Sequence, residues 1–177
     1  LVRDVVTGLR MGVEKEMKMA EAMQKLNRVI HRSTLSTQFV SLFYGEIESN
    51  GNVFFVNAGH PPPLLVQGTQ IKPLRATGTI LGALPEISLH RASMSFEPGA
   101  VLVMYSDGLL ERRNHEDEEF GTARLEKLLI AHQHKSASEI LDVLYHSVFA
   151  FGNQTKWQDD ATAVVLKKLQ GDFYSHR

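Results

Sequence analysis

Residues 97–111 read EPGAVLVMYSDGLLE. Pro98 and Gly99 occupy the positions at which a type II turn takes a fixed φ and then a positive one. The apolar run that follows, 101–105, is too short for a helix, is bounded by turn signals and predicts a buried strand. That strand runs straight into Ser106-Asp107-Gly108. A carboxylate at the mouth of a strand is held by a rigid element, and a glycine beside it lets the backbone approach a ligand. An Asp-Gly after a strand is also an ordinary turn, so the stretch nominates Asp107 without deciding its role.

Working outward, the C-terminal side returns to helices. Residues 122–131 carry Leu125, Leu128 and Leu129 on one side. Ser136-Ala137-Ser138-Glu139 has the spacing of a capping box. It opens a helix with Ile140, Leu141, Leu144, Val148 and Phe151 inward, closed near Gly152. A last strand at 161–166 is preceded by Trp157-Gln158-Asp159-Asp160. Adjacent carboxylates repel unless a cation or donor lies nearby, although a cap or a solvated loop also accounts for such a pair.

On the N-terminal side, residues 38–47 and 53–57 are rich in β-branched and aromatic residues. Ser49-Asn50-Gly51-Asn52 between them predicts a hairpin closed by a type I′ turn. Residues 64–67 and 90–96 read as further strands. Residues 1–31 place apolar side chains at steps of three and four, from Val2 to Ile30, and predict one long helix. Gly8 and Gly12 weaken its intrinsic propensity, and their small size would allow a close helix contact. Helix, strands, two helices and a strand make an α+β chain with antiparallel hairpins rather than regular βαβ alternation.

Composition narrows the function. The 177 residues contain no cysteine, which excludes a disulfide scaffold, a thiolate metal site and thiol catalysis, and fits a reducing, cytoplasmic setting. Nineteen basic and 20 acidic side chains give a net charge of -1. That argues against a strong footprint for nucleic acid or anionic membrane. No apolar run reaches the roughly 18 residues of a membrane span. The length suits one domain, expected at 1–169 with a loose tail at 170–177. The chain begins with Leu1 inside a predicted helix and therefore reads as a piece of something longer.

Taken together and in order, VLVMYSDGLLE, two helices and QDDATAVVL resemble the SpoIIE/RsbU-type serine phosphatases of the metal-dependent protein phosphatase (type 2C) superfamily. FVNAGHPPP at 55–63, GTILG at 78–82 and EFG at 119–121 resemble three further segments of that family. The resemblance implies a two-sheet antiparallel β-sandwich flanked by helices. It also implies two Mn²⁺ or Mg²⁺ ions at an acidic edge, activating a water that attacks a phosphoserine or phosphothreonine. Asp107 matches one metal aspartate and Asp159 another, Asp160 beside it is a third candidate metal ligand, and Thr162 would stand behind it. No covalent intermediate is implied, so Ser106 is not a nucleophile. The expected substrate is a phosphorylated bacterial signalling protein of the STAS-type anti-sigma-factor antagonist class. An upstream sensor or receiver domain and a homodimer are expected as further partners.

One part of the family pattern, G-D-x-x-G-x-G with its own metal aspartate, belongs before the first long helix and is not in this sequence. The resemblance therefore leaves a second reading open, a catalytically impaired pseudophosphatase or phosphoprotein-binding module. Gly171-Asp172-Phe173-Tyr174 spells a similar fragment at the wrong end. His60 is read mainly as a loop-fixing residue, with a site role as the alternative. Arg112 and Arg113 are either hydrated surface charges or contacts for a phosphate. Gly108 is read as the close-approach position beside Asp107.

Overall fold

The computed structural model describes residues 2–14, 18–33, 39–153 and 156–169. In chain order the elements are α1 (Val2–Glu14), α2 (Met19–Ser33), β1 (Leu42–Ile47), β2 (Asn52–Ala58), β3 (Leu64–Gln67), β4 (Gln70–Pro73), β5 (Ala92–Ser95), β6 (Val101–Tyr105), α3 (Asp107–Leu110), α4 (Gly121–His132), α5 (Ala137–Phe151) and β7 (Ala163–Lys167). They form two compact units, one of residues 1–60 and 75–95, the other of 61–74 and 96–177. Each unit holds one antiparallel sheet, β1-β2-β5 in the first and β4-β3-β6-β7 in the second. The α+β class and the two antiparallel sheets with helices are as the sequence leads one to expect. The expected loose tail, with its Gly171–Tyr174 fragment, lies outside the described residues.

In the first unit the long helix expected over 1–31 is two helices. A methyl group at Gly8 would lie 2.9 Å from Leu26 Cδ1, and one at Gly12 3.1 Å from Ala22 Cβ. Position 8 faces 26 while 12 faces 22, so α1 and α2 run antiparallel, and the missing side chains let them approach closely. An unbroken three-and-four spacing is equally satisfied by a helix that folds back on itself, which is why the sequence did not separate the two. Met19, Met23, Leu26 and Ile30 of α2 are buried with Val56, Ala58 and Leu81. Asn27, only 1% exposed, fastens α2 to the loop after residue 81. Its Nδ2 donates to Leu84 O and Pro85 O, and its Oδ1 accepts from Gly82 N at 2.8 Å.

The β1–β2 hairpin is present, with Ile47 opposite Val53, but its turn differs from expectation. Gly51 takes φ 91 while Asn50 does not enter the left-handed region. Gly51 N donates to Glu48 O and Glu48 N to Asn52 O. This is a type I turn closed by a left-handed glycine bulge rather than a type I′ turn. One glycine suffices for it, and Asn50 instead uses its Oδ1 to hold Asn52 N at 2.8 Å.

In the second unit Pro98 and Gly99 make the expected turn, with Gly99 at φ 84 and Ala100 N donating to Glu97 O. β6 is an interior strand, paired with β3 on one side and β7 on the other. Alternate residues Leu64, Val66, Val101 and Val103 pack with Leu125 and Leu129 of α4 and Ile140, Leu144 and Val148 of α5. The period-two face of the sheet thus meets the helical stripes read from the sequence. β4 was not anticipated; it is an edge strand, where Pro73 is tolerated because its missing N–H faces away from the ladder.

The capping box of α5 is formed. Ser136 Oγ accepts from Glu139 N at 3.2 Å, and Glu139 Oε2 accepts from Ser136 N at 2.9 Å. Ser136→Ala is expected to lower stability by about 1 kcal/mol, read as a lower denaturation midpoint at unchanged slope. Hydrogen bonds from Ser136 hold the Glu139 carboxyl below its ordinary pKa. A lowered carboxyl stabilises the fold above the ordinary glutamate pKa and loses that contribution as pH falls through the lowered value. The gap between wild type and Ser136→Ala should therefore close on acidification.

Candidate functional site

The site is assembled by strand register. Tyr105 at the end of β6 is opposite Ala163 at the start of β7, so the chain leaving β6 lies beside the chain entering β7. Ser106 continues the pairing, its N donating to Thr162 O at 2.9 Å. Its hydroxyl then spans the two segments, donating to Asp160 O at 3.0 Å and accepting from Thr162 N at 2.9 Å. Gly108 completes the approach. A methyl group there would lie 2.5 Å from Asp160 O and 3.4 Å from Asp159 Cβ. This is a position at which backbone meets backbone and no side chain fits.

Asp107, the first residue of α3, and Asp159, on the loop that enters β7, are thereby carried on two adjoining segments. Each carboxylate is turned onto the amide that follows it: Asp107 Oδ1 accepts from Gly108 N at 3.0 Å, and Asp159 Oδ1 from Asp160 N at 2.7 Å. Both side chains are exposed, and among the described residues neither is paired with a cation. Two exposed carboxylates on neighbouring segments without a counter-charge are groups that a cation would stabilise. Asp160 enters the arrangement through its backbone, as donor to Asp159 and acceptor from Ser106. Among the described residues no three carboxylate or histidine side chains form a metal-sized cluster.

A cleft of about 350 Å³ opens beside these residues, lined by Gly108, Glu111, Arg112, Arg113, Glu119, Gln158 and Asp159. Arg113 is held by Asp117 at 2.8 Å and Glu119 at 2.9 Å, and its N donates to Gln158 Oε1 at 3.0 Å. Asn114 shapes the acidic loop, its Oδ1 accepting from Glu116 N and Glu118 N. The acidic run 116–119 is thus a solvated, ion-paired loop.

Arg112 is 1% exposed and so is not a hydrated surface charge, although it stands among the residues lining the cleft. Nη1 donates to Lys156 O at 2.6 Å and Nη2 to Gly152 O at 3.1 Å, and the guanidinium carbon stands 5.3 Å from the Trp157 ring centre. It fastens the end of α5 to the segment that leads into Asp159. An arginine's fork can satisfy two carbonyls while its stem packs against an aromatic face. Trp157 also packs on Tyr145 and Phe149, so it anchors the approach to the site.

Thr162 takes part through its backbone N and O, both bonded to Ser106, and among the described residues its hydroxyl makes no hydrogen bond. The hydroxyl that does the tying belongs to Ser106, which sequence reasoning considered only as a nucleophile and set aside. The available signal was its place between a strand end and an aspartate. His60 belongs to the other unit, where its N donates to Asn57 Oδ1 at 2.9 Å and its O accepts from Asn57 Nδ2 at 3.1 Å. Buried Asn57 thus fixes the loop that turns at Gly59, φ 71. Behind the site, Tyr105 donates to Pro62 O at 3.0 Å. Burial, and then the charge of Glu126, push its phenol above the ordinary tyrosine pKa.

Comparison with known proteins places this geometry. The chain is 33% identical over 130 residues to protein IcfG of Synechocystis, covering 72% of this chain and 20% of that protein. It is 26% identical over 152 residues to the phosphoserine phosphatase RsbU of Bacillus subtilis, covering 84% of this chain and 45% of that protein. The chain thus spans less than half the length of either relative. Among solved structures, the phosphatase domain of the cell-fate determinant SpoIIE from Bacillus subtilis, presoaked with Mn, superimposes with a TM-score of 0.66 at 19% identity. That match covers 95% of this chain and 74% of the other, so the fold is that of this phosphatase domain. The family model described as Stage II sporulation protein E (SpoIIE) matches residues 1–169, and by that match the chain belongs to the SpoIIE family.

Proposed function

We propose that this chain carries part of the catalytic centre of a metal-dependent phosphoserine/phosphothreonine protein phosphatase, with Asp107 and Asp159 as metal ligands. The observation that carries the proposal is the joining of two aspartate loops by Ser106 and Gly108 at the paired ends of β6 and β7. The donor set fits the ions expected. Carboxylate oxygens are hard ligands, and Mg²⁺ characteristically takes one or two carboxylates while water and substrate phosphate fill the remaining positions. When bound, Mn²⁺ or Mg²⁺ ions, two in a complete site, supply Lewis-acid polarisation of phosphoryl oxygens and acidify water.

The chain's own residues do the holding. Asp107 and Asp159 present charge from loops whose backbones are fixed, so little reorganisation is needed when ligand arrives. Gly108 keeps the loops in contact, and the cleft beside Asp159 offers room for the residues that flank a phosphorylated side chain. Asp160 is assigned a supporting place through its backbone. The substrate class proposed is a phosphorylated bacterial signalling protein of the anti-sigma-factor antagonist type. RsbU, similar over most of this chain and named a phosphoserine phosphatase, supports the phosphoserine part of that choice. Action in the cytoplasm, within a longer protein whose other domains supply regulatory input or a dimer contact, belongs to the same proposal. Among the described residues, no helix is long and apolar enough to cross a membrane.

A second reading, a phosphoprotein-binding module with impaired catalysis, is favoured by one fact: the described residues hold no cluster of three metal-binding groups. The test uses the full protein and a phosphoserine-bearing protein substrate. Phosphate release that stops with a chelator and resumes with Mn²⁺ supports the phosphatase. Binding of the phosphoprotein with no release at any Mn²⁺ or Mg²⁺ concentration supports the module and overturns the phosphatase.

A further inference from the structure

Ser106, the residue before Asp107, is tied by its hydroxyl to the segment that follows Asp159. Its hydroxyl donates to Asp160 O at 3.0 Å and accepts from Thr162 N at 2.9 Å, while its own N donates to Thr162 O. The donor and acceptor capacity of one hydroxyl is therefore spent on the chain immediately after Asp159, with Asp107 the next residue along. The ladder ends here. β6 and β7 pair through Tyr105 and Ala163, the Ser106 N–Thr162 O bond carries the ladder one step further, and among the described residues no backbone bond of the ladder reaches Asp159 or Asp160.

Gly108 against Asp160 O sets how close the two segments can come, and Arg113 N, donating to Gln158 Oε1, ties them on the far side of Asp159. The aspartates themselves oppose the arrangement, since two exposed carboxylates on adjoining loops repel. A hydroxyl that donates to one segment and accepts from the same segment two residues on resists both separation and sliding.

We propose that Ser106 is a positioning residue for the metal pair. Through its hydroxyl it holds the Asp159-Asp160 loop against the Asp107 loop, and so sets the affinity of the two aspartates for a divalent cation. This rests on the reading of Asp107 and Asp159 as metal ligands and extends it to a residue that would touch neither ion nor substrate. Groups that orient ligands from behind typically change metal affinity by about 10- to 100-fold when removed.

The experiment measures Mn²⁺ binding to the full protein by electron paramagnetic resonance, in the absence of substrate, for wild type, Ser106→Ala, Ser106→Thr and Asp107→Asn. Ser106→Ala is expected to weaken Mn²⁺ binding about tenfold or more, with Ser106→Thr, which keeps the hydroxyl, within about threefold of wild type. Hydrogen exchange at the Thr162 amide should accelerate in the alanine variant alone, which reports that the tie is cut. If Ser106→Ala does not fold, Ser106→Cys takes its place, because a thiol of similar shape is a weak donor and acceptor. Unchanged Mn²⁺ affinity in the variant lacking the hydroxyl overturns the proposal, and so does equal weakening in Ser106→Thr. Failure at this level is distinguishable from failure of the site itself. If Asp107→Asn abolishes binding while Ser106→Ala does not, only the positioning role falls. If Asp107→Asn also leaves binding intact, the metal site and the positioning role fall together.

Discussion

Asp107→Asn and Asp159→Asn, each made in the full protein, are expected to reduce Mn²⁺-dependent phosphoserine hydrolysis by about 10³-fold, at a nearly unchanged melting temperature. The two halves of that result have separate causes. A carboxamide keeps the oxygen that accepts from Gly108 N or Asp160 N, so the turn each aspartate makes onto its following amide survives. What disappears is the negative charge and one oxygen lone-pair set, and with them the pull on a divalent cation. A metal ion contributes several kcal/mol to the stabilisation of a phosphoryl-transfer transition state, and 1.36 kcal/mol is a factor of ten in rate. Activity, Mn²⁺ binding and thermal unfolding measured on the same preparations check all three. Hydrolysis within tenfold of wild type in both variants would remove these aspartates from the chemistry.

The second large effect is on stability. Arg112→Ala is expected to destabilise the fold by about 3–5 kcal/mol, from the lost volume of a buried side chain and from the carbonyls it leaves behind. Gly152 O and Lys156 O lose a charged donor together, and Trp157 loses the flat partner on its face. Gly152→Ala probes the same contact from the other side. A methyl group there would lie 1.9 Å from Arg112 Nε and 2.4 Å from its guanidinium carbon. That guanidinium is pinned by two carbonyls and cannot swing away at little cost, so overpacking of about 1–3 kcal/mol is expected. In the Arg112→Ala background the clash has no partner, and Gly152→Ala should become nearly neutral. Equilibrium denaturation of the two single variants and the double variant gives the coupling directly. Additive effects would mean that the two positions do not share this contact.

These positions show where a single sequence carries information and where it stops. The strand at 101–105, its Pro98-Gly99 turn and the Ser136–Glu139 cap rest on interactions between near neighbours, so residue type and spacing contain them. The two aspartates were nominated the same way, each at the mouth of a strand. Arg112 was misread because its partners, Gly152 and Lys156, lie 40 and 44 residues away, and nothing local distinguishes a buried arginine from a solvated one. Ser106 was passed over for a related reason: its bonds run to residues 54 and 56 positions downstream, and they exist only through the pairing of β6 with β7. The division of the first helix was hidden by periodicity, since Leu26 fits the stripe of a straight helix as well as it fits the seam against Gly8. A type I′ turn was expected where a glycine-bulge turn stands, because Asn-Gly serves two turn geometries and the choice is made by the loop around it.

Asn27 adds a chemical lifetime to this picture. Its carboxamide is read in full orientation, nitrogen toward Leu84 O and Pro85 O, oxygen toward Gly82 N. Loss of ammonia from that side chain would exchange one atom, nitrogen for oxygen, with almost no change of size. The new carboxylate would then point an acceptor at two carbonyl oxygens in a site only 1% exposed, where unpaired charge is costly. An ageing reaction that passes unnoticed at a surface asparagine would here act as a slow release of the loop from α2.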